Sequence, residues 1–393
     1  MKKILSVILA VFMILGVTSC GKQQNADTSS IAQNTYNGWY TEGDVSITKD
    51  EIAAIVNGEF TQPKNVIVII GDGMGPNDLT LTEKYLDSTF DFGLAVNKIK
   101  NHGLCTTHSA SDDITDSAAS ATALSTGVKT NNKTIGKDPN GNDLKNLSEY
   151  AREAGKKVGI VTDDELSGAT PSAFVVHNTD RYNSKELTNS MIKFKADVFM
   201  CQDHTSVSAL LDSDARKIFD NEYLVAKKFD RFKETLDTDP ESKKPFIGFL
   251  SGYSTMASNE LSQCAEVALK RLKNDKGFFL MIESCGTDKY GSRNNMSGKL
   301  NSVVTLDRTV ATVLKFMKDN PDTLLIVTSD HETGGVKLPE KEGQSMNELL
   351  TTKEHTAAPV RVFAVGKGSE YFSGKTIDNT DIAKFLIKTI KGE

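Results

Sequence analysis

From residue 50 onward, short runs of apolar and β-branched residues alternate along the chain with segments of helical periodicity. The runs that predict strands are residues 66–70, 158–162, 197–200, 278–282, 324–328 and 360–365. Helices are predicted over residues 147–154, 260–272, 300–318 and 381–391. Continuous apolar strands separated by helices pack as a mostly parallel sheet that is covered on both sides. The pattern therefore predicts an α/β fold, with a mostly parallel central sheet and helices on both faces.

The first 45 residues differ from the rest of the chain. Lys2 and Lys3 precede an apolar run over residues 4–18, which is shorter than the roughly 20 residues of a membrane-spanning helix and typical of a signal peptide. The run ends in V-T-S-C-G at 17–21, which resembles a lipobox, where cleavage leaves Cys20 as a lipidated N-terminus. The alternatives are an ordinary cleaved signal and an uncleaved anchor.

We therefore predict a signal peptide over residues 1–19, a flexible polar tether over 20–45 and one large domain over 46–393. Lipidated Cys20 would anchor the exported protein to a membrane, facing the periplasm or the cell exterior.

Charge and cysteine content narrow the functional classes. The formal net charge is −6, and loss of Lys2 and Lys3 with the leader gives about −8 (−6 minus 2). A moderately acidic chain without a basic stripe is not expected to bind nucleic acid. Beyond Cys20, the cysteines are Cys105, Cys201, Cys264 and Cys285. An oxidising compartment permits disulfides, but without a CxxC pair we prefer the alternative that they are small buried hydrophobes.

Two motifs rich in small residues present polar side chains at predicted element ends. Residues 66–75 read VIVIIGDGMG, so Asp72 leaves a strand between glycines. Residues 115–123 read TDSAASATA and are followed by TGVKT at 126–130, which places Ser117 at a helix N-terminus. Free N–H groups there favour a phosphate or an alkoxide. The alternatives are a turn-forming Asp72 and a helix-capping Ser117, although a cap does not explain the run of small residues.

Acidic and histidine side chains follow other predicted strands. Residues 324–335 read LLIVTSDHETGG, in which Asp330 and His331 offer a carboxylate and an imidazole that suit zinc. Glu283 follows the strand at 278–282, Asp288 comes five residues later, and His355 precedes the strand at 360–365. Taken singly, the Asp330–His331 pair has a surface turn as its alternative. The other three are better interpreted as solvated loop residues.

Together, and in this order, these motifs resemble the alkaline phosphatase family from about residue 66 to the C-terminus. The resemblance implies an alkaline phosphatase-like three-layer sandwich, with residues 46–393 as its catalytic domain. It also implies hydrolysis of small phosphate monoesters through a phosphoserine on Ser117, with two zinc ions and one magnesium ion. Members are commonly dimers, so a homodimer is implied as well.

The resemblance assigns roles to individual residues. Arg181, in HNTDR at 177–181, corresponds to the arginine that clamps phosphate, and Asp116 to the acid that orients it. A guanidinium grips two phosphate oxygens at once, as a lysine cannot. The implied metal ligands are Asp72, Asp330 and His331 for the zinc that activates Ser117, itself a ligand, Asp288 and His355 for a second zinc, and Asp72, Thr170 and Glu283 for magnesium.

Two positions depart from the family pattern. Ser292 stands where the family has a histidine four residues after the acid corresponding to Asp288, and a hydroxyl is a poor zinc ligand. Gly168 stands two residues before Thr170, where the family has Asp or His. This loss should loosen the surroundings of the magnesium ion and leaves Lys289 without a carboxylate partner that some relatives provide. Four readings stay open: an active enzyme with an altered second metal position, one that dephosphorylates slowly, a non-catalytic phosphate- or metal-binding relative, and a phosphodiesterase.

Overall fold

The computed structural model describes residues 47–87, 93–239, 242–251, 260–341 and 343–393, and its centre is a sheet of ten strands. These strands are β1 Asn65–Gly71, β2 Asn101–Thr106, β3 Lys157–Glu165, β4 Val198–Gln202, β5 Leu224–Ala226, β6 Phe246–Leu250, β7 Phe278–Ser284, β8 Thr323–Thr328, β11 Val360–Val365 and β12 Thr376–Asp378. A separate two-stranded ribbon consists of β9 Glu332–Thr333 and β10 His355–Thr356.

The sheet order is β12-β2-β11-β8-β1-β7-β3-β4-β6-β5. Strand β11 is antiparallel to both of its neighbours, whereas every other neighbouring pair is parallel. All six predicted strands are present, and the predicted mostly parallel sheet is confirmed.

Helices connect the strands. They are α1 Lys49–Val56, α2 Pro76–Asp87, α3 Ser117–Thr126, α4 Leu147–Glu153, α5 Ala169–Ala173, α6 Ser184–Phe194, α7 His204–Leu210, α8 Ser213–Glu222, α9 Phe232–Asp237, α10 Glu260–Leu272, α11 Gly286–Gly291, α12 Met296–Asp319 and α13 Asn379–Lys391. The four predicted helices correspond to α4, α10, α12 and α13. Helix α12 begins at Met296, four residues before its predicted start, because the side chain of Asn295 caps it by accepting from Gly298 N.

The central strand β1 shows how the sheet separates two cores. Val66, Val68 and Ile70 pack in one apolar cluster with α3, α4, α6 and α13. Ile67 and Ile69 point into a second cluster with α1, α10 and α12. Alternate residues of a strand face opposite sides of a sheet, so an apolar strand serves both cores. The prediction of helices on both faces is therefore confirmed.

Four strands of the sheet were not predicted from the sequence, and they lie toward its two edges: β2, β5, β6 and β12. Gly248 interrupts the apolar run of β6, and glycine weakens a strand signal. A Cβ atom at this glycine would lie 2.4 Å from the ring of Phe232, so the packing of that ring requires its absence. Only the tertiary contact explains this residue.

The structure bears in part on the N-terminal and cysteine predictions. Within the described ranges, no helix has the length and apolar character needed to cross a bilayer. The signal peptide over 1–19, Cys20 and the tether over 20–45 lie outside the described residues and stay predictions. Cys105, Cys201, Cys264 and Cys285 are buried free thiols, as preferred.

Candidate functional site

Four neighbouring parallel strands, β8, β1, β7 and β3, end at one edge of the sheet and bring the acidic motifs together. Asp72 directly follows β1, and Asp330 and His331 follow β8. Glu283 lies near the end of β7. All four side chains are buried, so Glu283 is not a solvated loop residue and Asp330–His331 is not a surface turn. Strand carboxyl ends are where open α/β sheets bind ligands.

Asp72, Asp330 and His331 form a first group of candidate metal ligands. The Nε2 atom of His331 lies 3.4 Å from Asp72 Oδ1 and 3.3 Å from Asp330 Oδ2. One ligand atom from each residue fits within 4.8 Å of the others. Neither of these two carboxylate oxygens has a hydrogen-bond partner among the described residues. Buried, unpartnered carboxylate oxygens beside an imidazole fit a bound divalent cation.

The electrostatics of these carboxylates agree with a cation site. Burial, and next the negative charge of Asp330, raise the pKa of Asp72 well above its usual range. Burial, with the nearby charge of Asp164, raises the pKa of Glu283 to about 8. Carboxylates crowded together in a buried site resist ionisation unless a positive charge accompanies them. A divalent cation would supply that charge.

Asp288, His355 and His331 form a second candidate group. His355 Nε2 lies 3.4 Å from Asp288 Oδ1, and the rings of His331 and His355 stack with centroids 3.5 Å apart. Burial acts against ionisation of Asp288, but the hydrogen bond from His355 prevails and lowers its pKa. Asp288 lies in α11 and His355 in β10, and both side chains are largely buried, so the interpretation of the two as solvated loop residues is wrong.

Thr333, which the sequence analysis missed, sets the protonation of His331. Its hydroxyl donates to Asp288 Oδ1 at 2.6 Å and lies 3.2 Å from His331 Nδ1. Because the single hydroxyl proton is directed at Asp288, Nδ1 of His331 must donate to Thr333 Oγ1. Burial lowers the pKa of His331, so the ring is neutral and Nε2 carries the lone pair that a metal needs.

Ser117 begins α3 at the junction of the two groups. Its Oγ atom is 3.2 Å from His331 Nε2, and the side chain is buried. The helix cap is Asp116, whose Oδ1 accepts from Ala119 N at 3.0 Å, so the interpretation of Ser117 as the cap is wrong. The hydroxyl is thus available for chemistry rather than occupied in capping.

Arg181 is held beside this helix by Asp116. Its Nη1 donates to Asp116 Oδ2 at 2.9 Å, and the same oxygen accepts from Lys133 N at 3.0 Å. Burial opposes the charge of Arg181, but Asp116 raises its pKa, so it stays a guanidinium cation. Asp116 therefore links the start of the serine helix to the guanidinium, the contact that the family resemblance implies.

The implied magnesium ligands Thr170 and Glu283 are both buried. Thr170 Oγ1 has no hydrogen-bond partner within the part of the chain that the structure describes. Glu283 Oε2 accepts from Thr162 Oγ1 at 2.5 Å across the β3–β7 pair. Like Asp72 Oδ1, the hydroxyl of Thr170 is therefore available to a bound cation.

Lys289 has a carboxylate partner other than the one that is absent at Gly168. Its Nζ atom lies 3.0 Å from Asp164 Oδ2, and this pairing raises the pKa of Lys289 although burial opposes it. The reason is that β3 continues to Glu165, three residues beyond its predicted end, and carries Asp163 and Asp164 to the same edge. Acids directly after a predicted strand were the signal that would have found them.

Ser292 remains a departure from the family pattern. It is exposed at the end of α11, and its backbone N–H donates to Asp288 O at 2.9 Å. Besides Asp288 and His355, the second group of candidate ligands includes His331, which also belongs to the first group.

The geometry agrees with comparisons to known proteins. The family model "Alkaline phosphatase" matches residues 63–211 and 251–349. "Alkaline phosphatase 4" of Bacillus subtilis is 28% identical over 88% of this chain and 92% of its own length. The alkaline phosphatase of Escherichia coli is also 28% identical, over 86% of this chain and 88% of its own.

Solved structures give the same result. The alkaline phosphatase of the Antarctic bacterium TAB5 superposes with a TM-score of 0.72, at 32% identity, over 85% of this chain and 99% of its own. A mutant of that enzyme, with magnesium bound in its M3 site, superposes equally well at 31% identity. With its fold, its motifs and the family model all in agreement, the chain belongs to the alkaline phosphatase family.

Proposed function

We propose that this protein hydrolyses small phosphate monoesters through a phosphoserine intermediate on Ser117. One observation carries the proposal: the Ser117 hydroxyl lies 3.2 Å from Nε2 of His331, a residue that belongs to both groups of candidate metal ligands. The pairing of Arg181 with Asp116 at the start of the same helix supports it, because a guanidinium suits a terminal phosphate dianion.

In the proposed reaction, Ser117 Oγ attacks phosphorus, the bond from phosphorus to the ester oxygen breaks, and the leaving alcohol takes up a proton. Water then attacks the phosphoserine, releasing phosphate and restoring the hydroxyl. Arg181 would hold two non-bridging oxygens through both steps, and the free N–H groups at the start of α3 would favour the added negative charge. Asp116 positions both the Arg181 guanidinium and the start of α3 before substrate arrives.

Asp72, Asp330, His331, Asp288 and His355 would hold two zinc ions, and Asp72, Thr170 and Glu283 a magnesium ion. Bound there, cations would lower the pKa of the serine hydroxyl and of a water molecule and neutralise charge on the phosphate. The protein's own contribution to this chemistry is the tautomer of His331 and the unpartnered oxygens of Asp72 and Asp330.

The test is Ser117→Ala, assayed with an aryl phosphate in the presence of zinc and magnesium. We expect turnover to fall by at least about 10³-fold, because loss of a nucleophile has effects of this order or larger. Intact-mass analysis of acid-quenched wild-type protein should detect one added phosphoryl group that Ser117→Ala lacks. Ser125→Ala, a buried serine of the same helix, is the control and should keep its activity. Equal turnover in Ser117→Ala and wild type would rule the covalent mechanism out.

A further inference from the structure

Ser120 lies one helical turn after Ser117 in the motif at 115–123, and the proposed mechanism does not use it. Its Oγ atom donates to the main-chain carbonyl of Asp330 at 2.6 Å. The same oxygen accepts from Asn379 Nδ2 at 3.0 Å. Ser120, Asn379 and Asp330 are each at most 1% exposed, so water does not compete for these hydrogen bonds.

The chain of hydrogen bonds continues to the second half of the motif. Lys129, in TGVKT at 126–130, donates from Nζ to Asn379 Oδ1 at 2.6 Å. The same Nζ lies 3.1 Å from Asp378 Oδ2, the residue that caps the last helix, α13. Lys129, Asn379 and Ser120 therefore form a continuous path, which we call the Lys129–Ser120 relay, from the surface to Asp330.

Two of the three oxygen atoms of Asp330 accept hydrogen bonds, three in all, and the third oxygen accepts none from the described residues. Its carbonyl accepts from Ser120, and its Oδ1 accepts from Gly73 N at 3.1 Å and from His331 N at 3.0 Å. Only Oδ2 lacks a hydrogen-bond partner among the described residues, and it lies 3.3 Å from His331 Nε2. The main chain of the candidate ligand is thus fixed while the ligating oxygen stays open.

Ser117 and Ser120 are three residues apart and therefore lie on the same face of α3. Ser117 Oγ lies close to His331 Nε2, and Ser120 Oγ donates to the main-chain carbonyl of Asp330, the residue before His331. The helix is thus docked at two points, one turn apart, on the segment that carries Asp330 and His331. This arrangement ties the position of the nucleophile to the position of the metal ligands.

We propose that Ser120 is a positioning residue, held by Asn379 and Lys129, that sets the distance between the Ser117 hydroxyl and the metal bound by Asp330 and His331. The inference rests on the proposed function, since it takes Asp330 and His331 as metal ligands. The inference also gives the two parts of the motif a common role. The small-residue part supplies the Ser120 hydroxyl, and TGVKT supplies Lys129, which holds the Asn379 side chain that donates to Ser120.

Ser125→Ala is a matched control for Ser120→Ala. Ser125 lies in the same helix, is equally buried and also donates to a main-chain carbonyl, that of Ala173 at 2.7 Å. Both variants lose one buried hydroxyl and its donation to a main-chain carbonyl from another segment, and Ser120→Ala also loses the hydrogen bond that Ser120 accepts from Asn379. Ser125 contacts α5 and not the segment of Asp330 and His331, so loss of zinc affinity in Ser120→Ala alone would separate positioning from a general structural effect.

The experiment measures the affinity of the full chain for Zn²⁺ by competition with a chromophoric chelator, which needs no turnover. Ser120→Ala should weaken zinc binding by about 10- to 100-fold, the usual effect of removing a group that orients a ligand. It should also lower kcat for an aryl phosphate more than it changes KM. Ser125→Ala should leave zinc affinity unchanged.

A second variant covers the case in which Ser120→Ala does not fold. Lys129→Met acts at the half-buried outer end of the relay and should weaken zinc binding in the same direction, by a smaller factor. Wild-type zinc affinity in Ser120→Ala, or in Lys129→Met where Ser120→Ala does not fold, would overturn the inference. An equal loss of affinity in Ser125→Ala would do the same. Absence of zinc binding by the wild-type chain would instead remove the proposed function, and the inference with it.

Discussion

At position 292, four residues after Asp288, this chain presents a serine hydroxyl at the exposed end of α11. Residues four apart lie on one face of a helix, so a longer side chain at 292 would be directed along the face of Asp288. A serine hydroxyl is a weak zinc ligand in comparison with imidazole. The second candidate metal group therefore gains no strong zinc ligand from position 292.

Ser292→His should raise the zinc affinity of the second site by at least about tenfold, which corresponds to about 1.4 kcal/mol. The physical reason is the added imidazole beside Asp288 and His355. Isothermal titration with Zn²⁺, together with metal counting per chain, measures it. Arg293→His is the matched control. Residue 293 is also exposed, but it comes five residues after Asp288 and so does not share a helix face with it. Equal zinc affinities for wild type and both variants would show that position 292 plays no part in the site.

At the scale of elements, a buried ion pair joins α2 and α12 to the loop that presents Asp72. Lys299 Nζ lies 2.7 Å from Asp78 Oδ2, and both side chains are fully buried. Lys299 also donates to Gly73 O at 3.0 Å, and Asp78 Oδ2 accepts from Gly75 N at 2.8 Å. The pair therefore fixes the G-D-G-M-G turn by its main chain.

The conformation and the close surroundings of Gly73 require a glycine in this turn. Its φ of 70° is in the left-handed region, and a Cβ atom there would lie 2.7 Å from Thr333 Oγ1 and 2.8 Å from Asp288. Glycine is the residue that tolerates both the conformation and the close approach. The turn thus packs directly against the second ligand group.

Lys299→Met should destabilise the protein by about 3–5 kcal/mol, since it leaves the Asp78 carboxylate buried without its cation. Urea denaturation followed by circular dichroism measures the change. Lys318→Met, in the same helix, removes an exposed pair with Glu51 and should leave the midpoint nearly unchanged. In the double variant Lys299→Met/Asp78→Leu, much of the lost stability should return. A Lys299→Met midpoint equal to that of Lys318→Met would contradict the assigned role of the pair.

At the scale of the whole molecule, the site joins segments that are far apart in the chain. Five residues from separate segments of the chain meet at one edge of the sheet: Asp72, Ser117, Asp288, Asp330 and His355. A ligand that binds such a constellation binds the native state and not the unfolded chain, so it stabilises the fold by linkage.

Removal of metal should therefore lower the thermal stability of the entire domain. Zinc at 100 times its Kd contributes about 2.7 kcal/mol, so EDTA should lower Tm by several degrees. Scanning calorimetry with and without EDTA measures the shift, and added zinc should reverse it. Asp330→Asn, which weakens the first ligand group, should show a smaller shift. An EDTA-insensitive Tm in the wild type would contradict metal binding by the native state.

The local pattern was sufficient for the main architecture of the fold and for part of the candidate site. Arg181 and Thr170, and the roles of Glu283, Asp288 and His355, were implied only by the family resemblance. Apolar runs such as residues 66–70 and 324–328 reported strands buried on both faces, because burial on both faces demands apolar side chains at every position. Motifs at the ends of these strands indicated Asp72, Asp330 and His331, because parallel strands deliver their C-terminal residues to one edge. Ser117 was indicated separately, by its place at a predicted helix N-terminus.

Other features depend on contacts that no local pattern reports. Asp164 reaches Lys289 only because β3 extends beyond its apolar run, and Thr333 orients His331 only because β9 lies beside Asp288. The Lys129–Ser120 relay joins residues more than 200 positions apart. Periodicity records which side chains are buried along one segment, whereas the donor and acceptor that meet are decided by how distant segments pack. The partners of Ser120, Lys289 and Thr333 were therefore visible only once the chain was folded.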